Sequence, residues 1–125
     1  MGQNVLHIAA STGNVGIFVY FYCTLMTNIN QKDVNSYTPL HLSVLEGHEN
    51  MSIFIISISD DLHVKDSKGY TPLHLTVFSS AYKVSRHLVM NGADRHIKCN
   101  YGQTPFELAI SRGCTDMFKV LVKGM

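Results

Sequence analysis

Seven histidines in a chain of 125 residues raise the question of metal binding or acid–base work, because imidazole does both near neutral pH. His63 and His96 occupy equivalent places in a repeating pattern that runs through the chain, so they are expected near one another. Two imidazoles without a carboxylate or thiolate at set spacing make a poor zinc site, so neither metal nor cofactor is expected. The three cysteines, Cys23, Cys99 and Cys114, include no Cys-x-x-Cys pair, which argues against a disulfide framework or a thiolate site. Three reduced, mostly buried thiols are the plain expectation. Cys114 precedes a predicted helix, where a thiol pKa can fall, although a merely buried or exposed cysteine is the commoner outcome. Asp60 and Asp61 are neighbours in a link, and no Ser-His-Asp order or glycine-rich phosphate loop is present. The chain therefore reads as a non-enzyme.

The elements that carry these residues repeat. Thr38-Pro39-Leu40-His41 recurs as Thr71-Pro72-Leu73-His74 and as Thr104-Pro105-Phe106-Glu107, at a constant step of about 33 residues. Asn4-Val5-Leu6-His7 fills the same slot ahead of the second copy, with one extra residue in between. Gly13, Gly47, Ser80 and Gly113 form another column, and Asp33, Asp66 and Cys99 a third. Several columns in one register mark an array of stacked units.

Each unit reads as two short helices. Thr38 is an N-cap whose hydroxyl accepts a first-turn amide, and Pro39 suits the first helical position. The helix runs to about Leu45, where Gly47 supplies the positive φ of a tight turn. A second helix is predicted over Glu49–Ser57, and the next pair over Thr71–Phe78 and Tyr82–Met90, ending at Asn91-Gly92. Met51–Ile58 is rich in β-branched residues and by propensity alone would be a strand, but its register predicts a helix. Helices this short do not persist alone in water, so they must stack into one core. Val44, Ile53, Ile56, Val77, Val84, Leu88, Ile110, Val120 and Leu121 are the predicted core.

Thr-Pro-Leu-His at that step, with Gly69-Tyr70-Thr71-Pro72-Leu73-His74-Leu75 and Asn91-Gly92-Ala93-Asp94, resembles the ankyrin repeat family from Gly2 to Gly124. The resemblance implies an all-α solenoid of stacked helix-turn-helix units joined by β-turn or hairpin-like loops. It forms a single domain with repeats at about 1–32, 33–65, 66–98 and 99–125. Repeat one lacks Thr-Pro and has one extra residue; repeat two has Ser59-Asp60 where the family has Gly-Ala; repeat four has Cys99 for Asp and Glu107 for His. In this family, histidines at the places of His7, His41 and His74 tie one repeat to its neighbour, and His48 has a structural place too. In some members the slot held here by Asn30, His63 and His96 is hydroxylated; His96 has Leu88 and Asp94 at favourable offsets.

The resemblance also implies a concave face of turns and first helices that binds another protein. By register that face holds Lys32, Lys65 and Lys98, then Tyr37 and Tyr70 with Gln103 as third member. Near the first-helix ends come exposed Leu45 and Phe78, and Arg112 in repeat four. These suit a partner segment with acidic and apolar side chains, aromatics being favoured anchors. The lysine row can equally be a solvated edge.

Composition sets the limits. Charged residues are 15%, apolar residues 46% and the formal net charge is +1. A sparse lysine row at near-neutral charge gives no case for nucleic acid. The apolar stretch Val15–Met26 is too short to span a membrane, which needs about 20 residues; direct insertion is not expected. It also lacks the flanks of a signal peptide, and Met1-Gly2 is followed by Leu6 where a myristoylation signal wants Ser or Thr. The expected compartment is the cytoplasm, the nucleus or the cytoplasmic side of a membrane. The leading function is a scaffold or adaptor; the alternative is the substrate-recruiting portion of a larger enzyme or membrane protein, such as a protein acyltransferase, kinase or channel. A start inside repeat one and a stop at Lys123-Gly124-Met125 favour an excised piece. The apolar run Ile17–Cys23 suggests self-association through repeat one, as a homodimer or end to end.

Overall fold

The computed structural model describes residues 4–25 and 28–122; Met1-Gly2, Met26 and Lys123-Gly124-Met125 lie outside them. Each first helix begins at a residue that caps it. Asn4, Thr38, Thr71 and Thr104 accept the N3 amide on their side chains, and the N3 side chain accepts the N-cap amide in return. The caps start α1 (Val5–Thr12), α3 (Pro39–Leu45), α5 (Pro72–Ser79) and α7 (Pro105–Arg112). Tight left-handed turns at Gly13, Gly47, Ser80 and Gly113 lead to the second helices. These are α2 (Val15–Leu25), α4 (Glu49–Ile58), α6 (Tyr82–Met90) and, after a 3₁₀ turn at Thr115–Met117, α8 (Phe118–Val122). Among the described residues there is no strand, and no helix long and apolar enough to cross a membrane. The β-branched segment Met51–Ile58 lies in α4: Met51, Ile55 and Ile56 are buried, so packing overrides strand propensity.

The pairs stack in sequence. First helices pack as α1 on α3, α3 on α5 and α5 on α7; second helices pack as α4 on α6 and α6 on α8. One core runs through the stack, including Leu6, Phe18, Val44, Ile55, Leu73, Val77, Leu88, Leu108 and Leu121. Burying each such side chain stabilises by roughly 1.5–3 kcal/mol, which lets helices of 5–11 residues persist.

Two core expectations need correction. Ile110 is 53% exposed, although it shares a column with buried Ala10, Val44 and Val77. That column faces the following repeat, and none lies beyond α7 and α8 among the described residues. Ile53, on α4, is half-buried. The mirror case is Ile8, 52% exposed, whose counterparts Leu42, Leu75 and Leu108 are buried; its column faces the preceding repeat. The thiols are also less uniform than expected: Cys99 is buried, Cys114 half-buried and Cys23 exposed.

The repeats are tied together by histidine. His41 Nδ1 accepts the Thr38 amide at 3.0 Å, and His41 Nε2 lies 3.2 Å from the Tyr70 carbonyl. His74 does the same with the Thr71 amide at 3.1 Å and the Gln103 carbonyl at 2.9 Å. His7 Nδ1 accepts the Asn4 amide at 3.1 Å, and its Nε2 reaches the Gln31 and Tyr37 carbonyls at 2.8 and 3.0 Å. An Nδ1 that accepts and an Nε2 that meets a carbonyl fix the neutral Nε2–H tautomer. His48 adds a backward link, its Nε2 lying 2.8 Å from the Ser11 carbonyl.

Burial holds His41 and His74 below the ordinary histidine value, although the Tyr70 and Gln103 carbonyls that their rings face, and the Asp66 charge, oppose it. A depressed folded value means that the unfolded chain binds protons first. The stability these rings confer is complete above the unfolded value of about 6.5 and falls away as pH drops towards the folded value. The unfolding free energy from urea titrations should therefore be flat above neutrality and fall as pH drops below about 6.5, by at most about 1.4 kcal/mol per pH unit for each ring. The double variant His41→Gln, His74→Gln should be less stable at neutral pH and flatten that slope; an unchanged slope would exclude these rings as its source.

Candidate functional site

Between repeats the chain makes a short finger. In the first two fingers an aspartate ties the turn: Asp33 Oδ1 accepts the Asn35 and Tyr37 amides at 2.9 and 3.0 Å, and Asp66 Oδ1 accepts those of Lys68 and Tyr70, both at 2.9 Å. Cys99 cannot replace that carboxylate, yet the third finger keeps its backbone pairing, with the Cys99 amide 2.9 Å from the Gln103 carbonyl. Neighbouring fingers join through Ser67 N–H to the Asn35 carbonyl at 3.3 Å and Asn100 N–H to the Lys68 carbonyl at 3.0 Å. Gly69 serves both needs. Its φ is +78°, and a Cβ there would collide with the backbone nitrogen and side-chain oxygen of Asn100.

The fingers deliver Tyr37 and Tyr70 to the residue before each threonine cap. The Tyr70 ring meets Phe78 edge-on at 5.1 Å, His74 at 5.7 Å and Tyr101 at 6.3 Å. The Arg112 guanidinium lies over Phe78, 4.6 Å from the ring centroid. The structure thus brings together three residues expected on the binding face, Tyr70, Phe78 and Arg112. It adds Tyr101, 65% exposed, which sequence reasoning missed. Tyr101 stands one repeat after Lys68 and two after Asn35, two columns before Tyr37 and Tyr70, and its column carries no aromatic in the earlier repeats.

The remaining positions are spread along the stack. Tyr37 pairs with the His41 ring at 6.0 Å. Leu45, in the Phe78 column, is half-buried against the core, and Phe78 is half-buried too, so neither is as open as expected. Lys32, Lys65 and Lys98 are exposed, and among the described residues none is in an ion pair. Their charges are felt at His41, His74 and Glu107 respectively, which places the row beside the first-helix N-termini.

Burial raises the Tyr37 phenol above its ordinary value, helped by the Asp66 and Asp33 charges. Burial also raises that of Tyr70, followed by Cys99, Tyr101 and Asp66, with Arg112 opposing. Both phenols are neutral hydroxyls at pH 7. Glu107 accepts the Thr104 amide at 2.9 Å, a bond that holds its carboxyl below the usual range.

His63 Nε2 accepts the Asp94 amide at 2.8 Å, and His96 donates its own amide to Asp94 Oδ1 at 2.8 Å. Their link is through Asp94 rather than between rings. Asn30, in the same column, donates its side-chain amide to Asp60 Oδ1 at 3.1 Å. Among the described residues no three His, Cys, Asp or Glu side chains converge as a metal site requires. A half-open cavity of about 270 Å³ lies beside His63, Asp60 and Leu62, in the link after α4.

Compared with known proteins, residues 53–125 match a family model described as ankyrin repeats (3 copies). No curated protein matches the chain.

The guanidinium–ring contact is expected to carry a coupling energy of about 0.5–1 kcal/mol. A double-mutant cycle of Arg112→Ala and Phe78→Ala, read by urea unfolding, measures it; zero coupling would show that the contact does not hold Arg112 in place.

Proposed function

The chain belongs to the ankyrin repeat family, and from that premise we propose that it is a scaffold or adaptor that recognises a segment of another protein on its fingers and first helices. Ankyrin repeats are in general protein–protein interaction modules and typically non-catalytic. The finer reading concerns which residues bind here. Lys32, Tyr37, Leu45, Lys65, Tyr70, Phe78, Lys98 and Arg112 form the proposed face. The observation that carries it is the Tyr70–Phe78–Tyr101–Arg112 cluster, in which aromatic surface and a positive charge meet across two repeats. Such side chains bury large area at low entropic cost, and so recur as binding hot spots. The lysine row adds attraction for an acidic and apolar segment.

The same face would serve the recruiting portion of a larger enzyme or membrane protein, such as a protein acyltransferase, kinase or channel. A reducing compartment, the cytoplasm, the nucleus or the cytoplasmic face of a membrane, suits the three free thiols. A second reading rests on repeat one, where Ile8, Ile17 and Tyr20 are 52%, 44% and 61% exposed. We propose that this face supports self-association as a homodimer.

The wild-type chain and a folded Tyr70→Ala, Phe78→Ala variant, offered the same lysate, should differ. A partner retained only by wild type should bind it as a purified protein and lose at least about tenfold in affinity to the variant, or about 1.4 kcal/mol. Equal affinity would remove the finger face from the reading. For repeat one, sedimentation velocity over a wide concentration range should show a dimer that Tyr20→Glu dissolves; a monomer throughout would end that reading.

A further inference from the structure

Resting on the finger-face reading, we propose that Tyr70, Phe78, Tyr101 and Arg112 anchor an internal, extended segment of a partner protein. That segment would carry an aspartate or glutamate two residues from an apolar side chain. Arg112 lies with one face over Phe78, and among the described residues it forms no ion pair. Among the described residues its N–H edge makes no hydrogen bond, and a guanidinium edge matches the two oxygens of a carboxylate with parallel bonds. Contact with the ring restricts the long side chain before binding, so less entropy is lost when the acid docks.

The charge count selects the ligand. Arg112 is the cation seated on the aromatic cluster, over Phe78, and Asp66 is a carboxylate felt at Tyr70. A site with one available cation suits a single negative charge, whereas a phosphorylated side chain brings about −1.5 to −2. The apolar side chain packs on the Tyr70 ring and the exposed Tyr101 ring, whose centroids are 6.3 Å apart. Arg112 and Tyr70 both contact the Phe78 ring, at 4.6 and 5.1 Å. Same-face residues of an extended segment, i and i+2, are about 7 Å apart, a spacing that lets one segment reach both the guanidinium and the Tyr70 ring. This anchor occurs once in the stack. The Arg112 column holds Glu46 and Ser79 in earlier repeats, and Leu45 stands in the Phe78 column, so one point sets the register of the whole segment.

Random peptides displayed as internal sequence, so that every carboxylate comes from a side chain, can be selected on the full chain. Winners are then synthesised with blocked ends. Expected winners carry Asp or Glu two positions from an aromatic or aliphatic residue. Arg112→Gln, or Gln in place of the peptide's acid, should each weaken binding about tenfold or more. The two changes together should add little, Arg112→Lys should restore only part, and Tyr101→Ala should weaken binding too. Circular dichroism confirms that each variant folds. Winners that need Tyr70 and Phe78 but ignore both Arg112→Gln and loss of the acid overturn the inference and leave the finger-face reading standing. Parallel phosphotyrosine and free-C-terminus libraries overturn it if only they yield binders that need Arg112. Winners indifferent to Tyr70→Ala, or no winners from any library, count against both readings.

Discussion

The stack depends on an imidazole using both of its nitrogens. A glutamate at the third helical position can complete a capping box, as Glu107 does with Thr104, but a carboxylate has no proton to offer outward. The rings of His7, His41 and His74 close their own box with Nδ1 and reach the next unit's carbonyl with Nε2. All three are fully buried, so an unmade bond would leave a polar atom without water, at a penalty of about 1–3 kcal/mol. The same bonds hold the carbonyls of Tyr37, Tyr70 and Gln103 in place, and with them the fingers.

Once the fingers are spaced, their side chains meet across repeats. Tyr70 belongs to one finger and Tyr101 to the next, while Arg112 crosses from α7 to a phenylalanine on α5. The proposed binding face is therefore a product of stacking and has no counterpart within a single repeat. Gly69 shows how tight that spacing is, since even one added carbon would strike the neighbouring finger.

What the sequence made legible follows from this geometry. A column that recurs once per unit meets the same neighbours each time, so Thr71, Gly113 and the helix over Tyr82–Met90 could all be read, while the tying role of His74 was implied by the family resemblance. Ile8 and Ile110 could not, because each column's burial is supplied by an adjoining unit and these two lack one among the described residues. The anchor cluster was half legible. Tyr70, Phe78 and Arg112 sit where the register points, but Arg112 belongs to the repeat after Phe78 and to the adjacent column, and only stacking superposes them. Tyr101 was missed because its column otherwise holds Asn35 and Lys68, which gave no aromatic signal.

The extra residue of repeat one is accommodated because of where it falls relative to these ties. The step from His7 to His41 is longer than the later ones, whereas that from Asn28 to Asp61 is not, so the insertion falls between the first helix and the link. There α2 has 11 residues against 10 and 9 in α4 and α6. His7 still reaches its carbonyls. An insertion within a first helix would instead rotate everything after it by about 100° and carry the ring off its target. A second helix or its flanking turn can thus absorb an extra residue without moving the histidine tie, whereas a first helix cannot.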